Sequence, residues 1–216
     1  MISKLSFERE CFNINKTIEH YSKTFNEYCN GSAGNEKFQV DIKDDFYYRS
    51  YKAFLDNISG NKILEIGSAT TRDAQFFRSK GFEVECVEPV EEFYNLAIQN
   101  NFKAYNTLYE NTNFNNKYNG IWAHASIIHI KKQLLPNVFT KVHTALQPNG
   151  IFFLSLRKDI GVGELELETN GMYFNFITLE LLDELIKDKF NIIDLWNTEH
   201  RHGLDNTWYS ITLCKI

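Results

Sequence analysis

Glu65-Ile66-Gly67-Ser68-Ala69-Thr70-Thr71-Arg72-Asp73 closes one short apolar run and opens a helical one. Lys62-Ile63-Leu64-Glu65-Ile66 reads as a buried strand, and Gly67 lets the backbone turn sharply and come close to a ligand. Thr71 to Lys80 then reads as a helix, with Gly81 just past its end. Glu88 follows Gly67 by 21 residues and ends a second strand, Phe82 to Val87. A carboxylate at that place can accept hydrogen bonds from both hydroxyls of a ribose.

The same stretch narrows the nucleotide. A dinucleotide turn requires G-x-G-x-x-G, and here Gly67, Ala69 and Arg72 hold those positions. The bulky Arg72 at the third one speaks against NAD or FAD. A Walker loop is excluded, because the chain has no G-x-x-x-x-G-K-[ST]. A ribose-bearing cofactor without a pyrophosphate remains, and Glu65 points to an amino group close by.

Outward from this turn, strands and helices alternate. Glu91 to Asn100 reads as a helix and Phe102 to Tyr105 as a weak strand. Tyr118 to Ala125 reads as a strand and Lys131 to Leu146 as a helix ended by Pro148-Asn149-Gly150. Ile151 to Leu156 is the most apolar strand; Thr178 to Lys189 reads as a helix, and Phe190 to Asn197 and Thr207 to Cys214 as the last strands. The pattern predicts an α/β, Rossmann-like, doubly wound sheet of seven mostly parallel strands. No helix joins the last two strands, so they should pair antiparallel.

Residues 1–58 read as an N-terminal helical cap within the same domain, and 59–216 as the core. Ile14, Ile18, Tyr21, Phe25 and Tyr28 share one helical face. After the polar break Asn30-Gly31-Ser32-Ala33-Gly34-Asn35-Glu36, Asp44 is placed to cap a second helix carrying Phe46, Tyr47, Tyr51, Phe54 and Ile58, with Gly60 ending it.

Composition sets the partners. The 216 residues carry a net charge of −5, which argues against a broad nucleic-acid surface, because neutralising phosphates takes clustered Lys and Arg. The longest apolar runs have about four residues, against roughly 20 for a membrane span. The N-terminal Met-Ile-Ser-Lys-Leu-Ser-Phe lacks a secretory pattern, and Cys11, Cys29, Cys86 and Cys214 are scattered, so a cytoplasmic protein with reduced thiols is expected. His200-Arg201-His202 with Glu199 and Asp205 is the only hint of a metal site, and no other ligand pair supports it. No metal is expected.

Taken together, Glu65 to Asp73 and Val84-Glu85-Cys86-Val87-Glu88-Pro89 resemble the first two motifs of class I S-adenosylmethionine-dependent methyltransferases. Gly120-Ile121-Trp122-Ala123-His124-Ala125-Ser126-Ile127-Ile128-His129 resembles their fourth motif, and Leu146-Gln147-Pro148-Asn149-Gly150-Ile151-Phe152-Phe153 the approach to their fifth strand. Tyr173 to Leu182 and Asn206-Thr207-Trp208 fit a bacterial, small-molecule-type subgroup. The resemblance runs from about Tyr21 onward and departs at Ala69 and Thr71, where the family usually has glycine, at Asn119, where a carboxylate is common, and at Asn149.

The resemblance implies S-adenosylmethionine as cofactor. Glu65 with Gly67, Ser68 and Ala69 would hold the methionine end, and Arg72 its carboxylate. Glu88 would take the ribose, Pro89, Leu108 and Tyr109 would flank the adenine, and the backbone of His124 would meet the cofactor's amino group. Tyr21 would close over the methionine end. His129, in the loop after the fourth strand, is the candidate general base or acceptor-positioning residue. A small-molecule acceptor is expected; a binding or regulatory protein on the same fold, and an RNA or protein methyltransferase, are the alternatives. Among the aromatics, which make up 15% of the chain, Tyr21, Phe25, Tyr28, Phe46, Tyr47, Tyr48 and Tyr51 lie before the core, and Tyr173, Phe174 and Phe176 in the loop after its fifth strand. These two groups are expected to cover the cofactor and line the acceptor pocket. Oligomeric state is not encoded in any motif.

Overall fold

The computed structural model describes residues 14–30, 45–158, 167–169, 172–199 and 207–216. Asp44, the polar break after Asn30, the glycine-containing stretch 161–164 and His200 to Asp205 lie outside the described residues, as does Cys11.

Residues 14–23 form helix α1, followed by α2 (Phe25–Asn30) and α3 (Asp45–Leu55). Then come β1 (Lys62–Ile66), α4 (Arg72–Ser79), β2 (Glu83–Val87), α5 (Glu91–Gln99), β3 (Lys103–Tyr105) and β4 (Tyr118–Ala123). Helix α6 (Leu135–Ala145) leads into β5 (Leu146–Arg157), and a small hairpin follows, β6 (Leu167–Thr169) with β7 (Met172–Phe174). The chain continues through α7 (Leu179–Ile186), β8 (Phe190–Glu199) and β9 (Thr207–Lys215). The seven main strands lie in the order β3-β2-β1-β4-β5-β9-β8. β9 runs antiparallel to both neighbours, and the other pairings are parallel.

Period-2 alternation divides the core between the two faces of this sheet. Leu64, Ile66, Ile121, Ala123, Phe152 and Leu154 point to one face, where Val138, Phe139 and Val142 of α6 and Leu182 and Leu185 of α7 cover them. Ile63, Trp122, Ile151 and Phe153 point to the other, under Tyr51 and Phe54 of α3 and Ala74 and Phe77 of α4. Helix α3 is therefore a layer of the core. Gly120 on β4 makes this possible, since a Cβ there would lie 2.4 Å from Phe54 Cζ.

This placement redistributes the N-terminal aromatics. The Tyr51 ring stacks between Phe76, at 4.0 Å, and Trp122, at 5.1 Å, and Tyr48 is exposed. Tyr51 thus serves the interior rather than a ligand pocket. Tyr21, Phe25 and Tyr28 instead gather around Phe93 of α5.

A buried carboxylate ties the left half of the sheet. Glu85 accepts hydrogen bonds from the Tyr105 and Tyr118 hydroxyls, both at 2.8 Å, and from Lys117 at 2.6 Å. Burial opposes its ionisation, but Lys117 and the two phenols prevail and hold its pKa down at about 2.

Candidate cofactor and acceptor site

The turn after β1 is left-handed three times over. Gly67 has φ +72°, Ala69 +40° and Thr71 +63°, so two non-glycine residues keep the backbone that glycines would adopt freely. Thr71 is fully buried, and its hydroxyl accepts from Gln75 Nε2 at 3.0 Å and Asn100 Nδ2 at 2.8 Å. Those amides point the side chain toward α5, away from the inside of the turn. Thr71 therefore keeps a left-handed backbone at a cost in strain. Replacing Ala69 with glycine should raise unfolding free energy by about 0.5–1 kcal/mol, relief of the left-handed backbone outweighing glycine's entropy cost. Denaturant titration reads this directly.

Glu88 locks the turn to the second strand. Its carboxylate accepts from the backbone N–H of Ala69 and of Val90, both at 2.9 Å. Burial pushes its pKa up to about 7, against the pull of those two N–H groups. Pro89 follows it half-buried, and Asn106 donates to the Glu88 and Pro89 carbonyls. Leu108 is half-buried after β3, while Tyr109 is buried within the main core and its hydroxyl finds no hydrogen-bond partner.

Glu65 faces the α4 side of β1. One of its carboxylate oxygens accepts from the Ala74 backbone N–H, while Oε2 is buried without a partner. Burial, reinforced by the charge of Asp73, pushes the Glu65 carboxyl well above the usual range. The Ser126 hydroxyl is also buried without a partner, and its Cβ is where a side chain on Gly67 would collide, at 2.6 Å. The turn is thus rimmed by polar atoms that the protein leaves unsatisfied, each costing about 1–3 kcal/mol when nothing pairs with it.

Asp73 organises the next shell. Its carboxylate accepts from the Tyr51 hydroxyl at 2.7 Å, Trp122 Nε1 at 2.7 Å and Arg72 Nε at 2.8 Å. Arg72 Nη2 also lies 3.3 Å from His124 Nδ1, which is 3.5 Å from Asp73. Two candidate residues, Arg72 and His124, are therefore brought together by Asp73, to which the sequence alone assigned no role in the site.

Across the site, His129 ends a short 3-10 turn, Ile127–His129. Its Nδ1 donates to the Tyr173 carbonyl at 2.8 Å, which leaves Nε2 to accept from the Tyr21 hydroxyl at 3.1 Å. Burial lowers its pKa to about 4, so the ring is neutral at pH 7. Burial likewise raises the Tyr21 phenol well above its ordinary value, Tyr28 and Glu88 adding to the effect and Arg157 opposing it. Helix α1 is further fastened by Thr17, whose hydroxyl accepts from the Tyr173 backbone N–H at 3.0 Å, and by Ser22, which donates to Glu92 of α5.

Three contributors escape a sequence reading. Asn175 is fully buried, and its Nδ2 donates to the carbonyls of Ile127 and Ile130, which shapes the turn carrying His129. Thr17 is the second. Arg157, the last residue of β5, is the third; a charge at the carboxyl end of the most apolar strand was the available signal.

The comparisons with known proteins agree with this fold. A family model described as "Methyltransferase domain" matches residues 43–203. Among solved structures, the Burkholderia thailandensis 1,6-didemethyltoxoflavin-N1-methyltransferase, with bound 1,6-didemethyltoxoflavin and S-adenosylhomocysteine, is similar with a TM-score of 0.73. It is 17% identical, over 93% of this chain and 88% of that one. A Leishmania major S-adenosylmethionine-dependent methyltransferase gives 0.72 at 16% identity, over 93% of this chain and 82% of that one. The [4+2]-cyclase SpnF gives 0.63 at 13% identity, over 80% of each chain. No curated protein matches in sequence. No described helix is long and apolar enough to cross a membrane. With a family match over well more than half of its 216 residues, and a glycine turn joined through a buried carboxylate to the second strand, the chain belongs to the methyltransferase-domain family.

Proposed function

We propose that the protein transfers the methyl group of S-adenosylmethionine to a small-molecule acceptor. The observation that carries this reading is Glu88. Each of its oxygens accepts one backbone N–H, and each carboxylate oxygen has a second lone pair available for a ribose hydroxyl. Glu65 Oε2 and the Ser126 hydroxyl are further polar atoms in need of partners, and an amino-acid moiety beside the turn would supply them. The donor set fits this cofactor.

When bound, S-adenosylmethionine supplies a methyl group on a cationic sulfur that leaves as a neutral thioether. Gly67, Ser68, Ala69 and Glu65 hold the methionine end, with Arg72 near its carboxylate. Pro89, Leu108 and Tyr109 border the adenine, and the His124 backbone meets the amino group. Tyr21 covers the methionine end. Its hydroxyl is oriented by His129, so His129 serves as a positioning residue; a ring with a pKa of about 4 is a weak base. Alignment and exclusion of water supply the rate, worth about 7–11 kcal/mol where positioning is ideal. A cytoplasmic, bacterial setting fits the sequence, with Cys29, Cys86 and Cys214 all free thiols.

Calorimetric titration with S-adenosylmethionine and S-adenosylhomocysteine tests the proposal. The wild type should bind both. Glu88→Ala should weaken binding by on the order of 100-fold, since a hydrogen bond to a charged group contributes about 1.5–3 kcal/mol. Ribose hydroxyls favour the carboxylate, so wild-type affinity should rise between pH 5 and 8 with proton release, whereas Glu88→Ala should not show this rise. No binding by the wild type across that range would sink the reading. A binding or regulatory protein is the second reading, favoured by the strained Ala69 and Thr71. Cofactor binding without methyl turnover on any acceptor would support it.

A further inference from the structure

We propose that Arg157 is the acceptor-recognition residue, and that the acceptor is a planar molecule carrying a carboxylate. The proposal rests on the methyl-transfer reading and names the substrate class of the same site. Arg157 stands at the carboxyl end of β5, beside the turn that holds His129. Its guanidinium carbon lies 4.1 Å from the centre of the Phe174 ring, 5.4 Å from Trp208 and 5.8 Å from Phe176. The Phe174 ring also touches His129, with centroids 4.9 Å apart, so cation, aromatic walls and the Tyr21–His129 pair form one cluster.

Among the described residues, the cation at its centre meets no anion. Arg49 pairs with Asp194 and Arg72 with Asp73, while Arg78 donates to the Asn100 carbonyl. Arg157 has no carboxylate within ion-pairing distance among the described residues, and its Nε is buried with no hydrogen-bond partner. Arg157 is half-buried, and partly withdrawing a guanidinium from water without a counter-charge costs free energy, of which stacking on aromatic rings offsets about 0.5–2 kcal/mol. A ligand carboxylate would complete the arrangement, because the guanidinium fork matches it in geometry and charge. Phe174, Phe176 and Trp208 back the guanidinium with buried aromatic surface, which favours a flat ligand at its open edge. A neutral acceptor would supply a hydrogen-bond acceptor at most, and no counter-charge.

The test uses the full chain saturated with S-adenosylhomocysteine. Binding of benzoate, 4-hydroxybenzoate, salicylate and nicotinate is measured by calorimetry against the carboxamide of each. At least one carboxylate should bind ten-fold or more tightly than its amide, and Arg157→Gln should remove that preference. Arg157→Lys should restore part of it. S-Adenosylhomocysteine should bind Arg157→Gln as it binds the wild type, which also shows that the variant is folded. Loss of the preference with cofactor binding intact supports the proposal. No preference for any carboxylate in the wild type, or a preference that survives in Arg157→Gln, overturns it. Failure of the wild type to bind S-adenosylhomocysteine overturns the methyl-transfer reading instead.

Discussion

Gly67→Ala should weaken cofactor binding by on the order of 100-fold and destabilise the fold by about 2–5 kcal/mol. Two causes add. The residue sits at φ +72°, where a Cβ costs roughly 1–2 kcal/mol. That Cβ would also lie 2.6 Å from Ser126 Cβ, and relieving such overpacking costs a further 1–3 kcal/mol or so. Ser126 cannot retreat freely, because the adjoining Ala125 is itself left-handed and its N–H donates to the Ser155 hydroxyl at 2.7 Å. The turn must move instead, and it carries the Ala69 N–H held by Glu88. Displacement by about 1 Å at a positioning element is enough for losses on the order of 100-fold. Gly81→Ala is the control. It has φ +92° with no atom near its Cβ, so it should lose only the backbone cost of about 1–2 kcal/mol and keep full binding. Denaturant unfolding and calorimetry on both variants separate the causes.

Asp73→Ala should cost about 3–5 kcal/mol, as removing one member of a buried charged network usually does. Burial opposes ionisation of this carboxyl, but Arg72 and His124 overcome it and hold the pKa well below the usual range. The substitution would leave the Trp122 indole N–H and the Tyr51 hydroxyl buried without their acceptor, between aromatic rings that cannot supply one. Arg72 would also lose its anchor beside the cofactor turn. The sign of the pH dependence follows from the depressed pKa. Asp73 contributes stability above about pH 4, and the contribution disappears as pH falls through the folded-state value. The gap in unfolding free energy between wild type and Asp73→Ala should therefore be widest near neutrality and narrow in acid.

Much of this architecture is legible in the residues alone, because its signals are local. Short apolar runs, each stopped by a polar or glycine-containing turn, mark β1, β2 and β4, and the helices between them start and end within a few residues of the expected places. Gly67 and Glu88 stand out for the same reason: each is an exception inside a regular pattern. Long-range pairings are not legible. Helical spacing shows that Tyr51 and Tyr21 lie on apolar faces, but not that one face meets Trp122 in the core and the other meets His129. The hairpin β6–β7 is too short, at three residues a strand, to give a periodic signal. Asn175 reads as an ordinary loop asparagine until the turn it clamps is folded against it. Thr71 is a departure visible in sequence whose effect is not, since its acceptor role toward Gln75 and Asn100 depends on how α4 and α5 pack.

The position of β9 between β5 and β8 bears on synthesis as well as shape. Domains begin to organise from the N-terminal side as a chain emerges. Strands β1 to β4, with Gly67, Glu88 and the Asp73 network, are all made before β9 exists. Trp208, directly opposite Arg157 on the neighbouring strand, arrives only with β9, and β8 cannot join the sheet until then. The half of the sheet carrying Gly67 and Glu88 can therefore assemble early, while the surroundings of Arg157 wait for the last strand. A nascent or clipped chain lacking β9 would keep the turn and carboxylate proposed to bind the nucleotide and lose Trp208 from the proposed acceptor compartment.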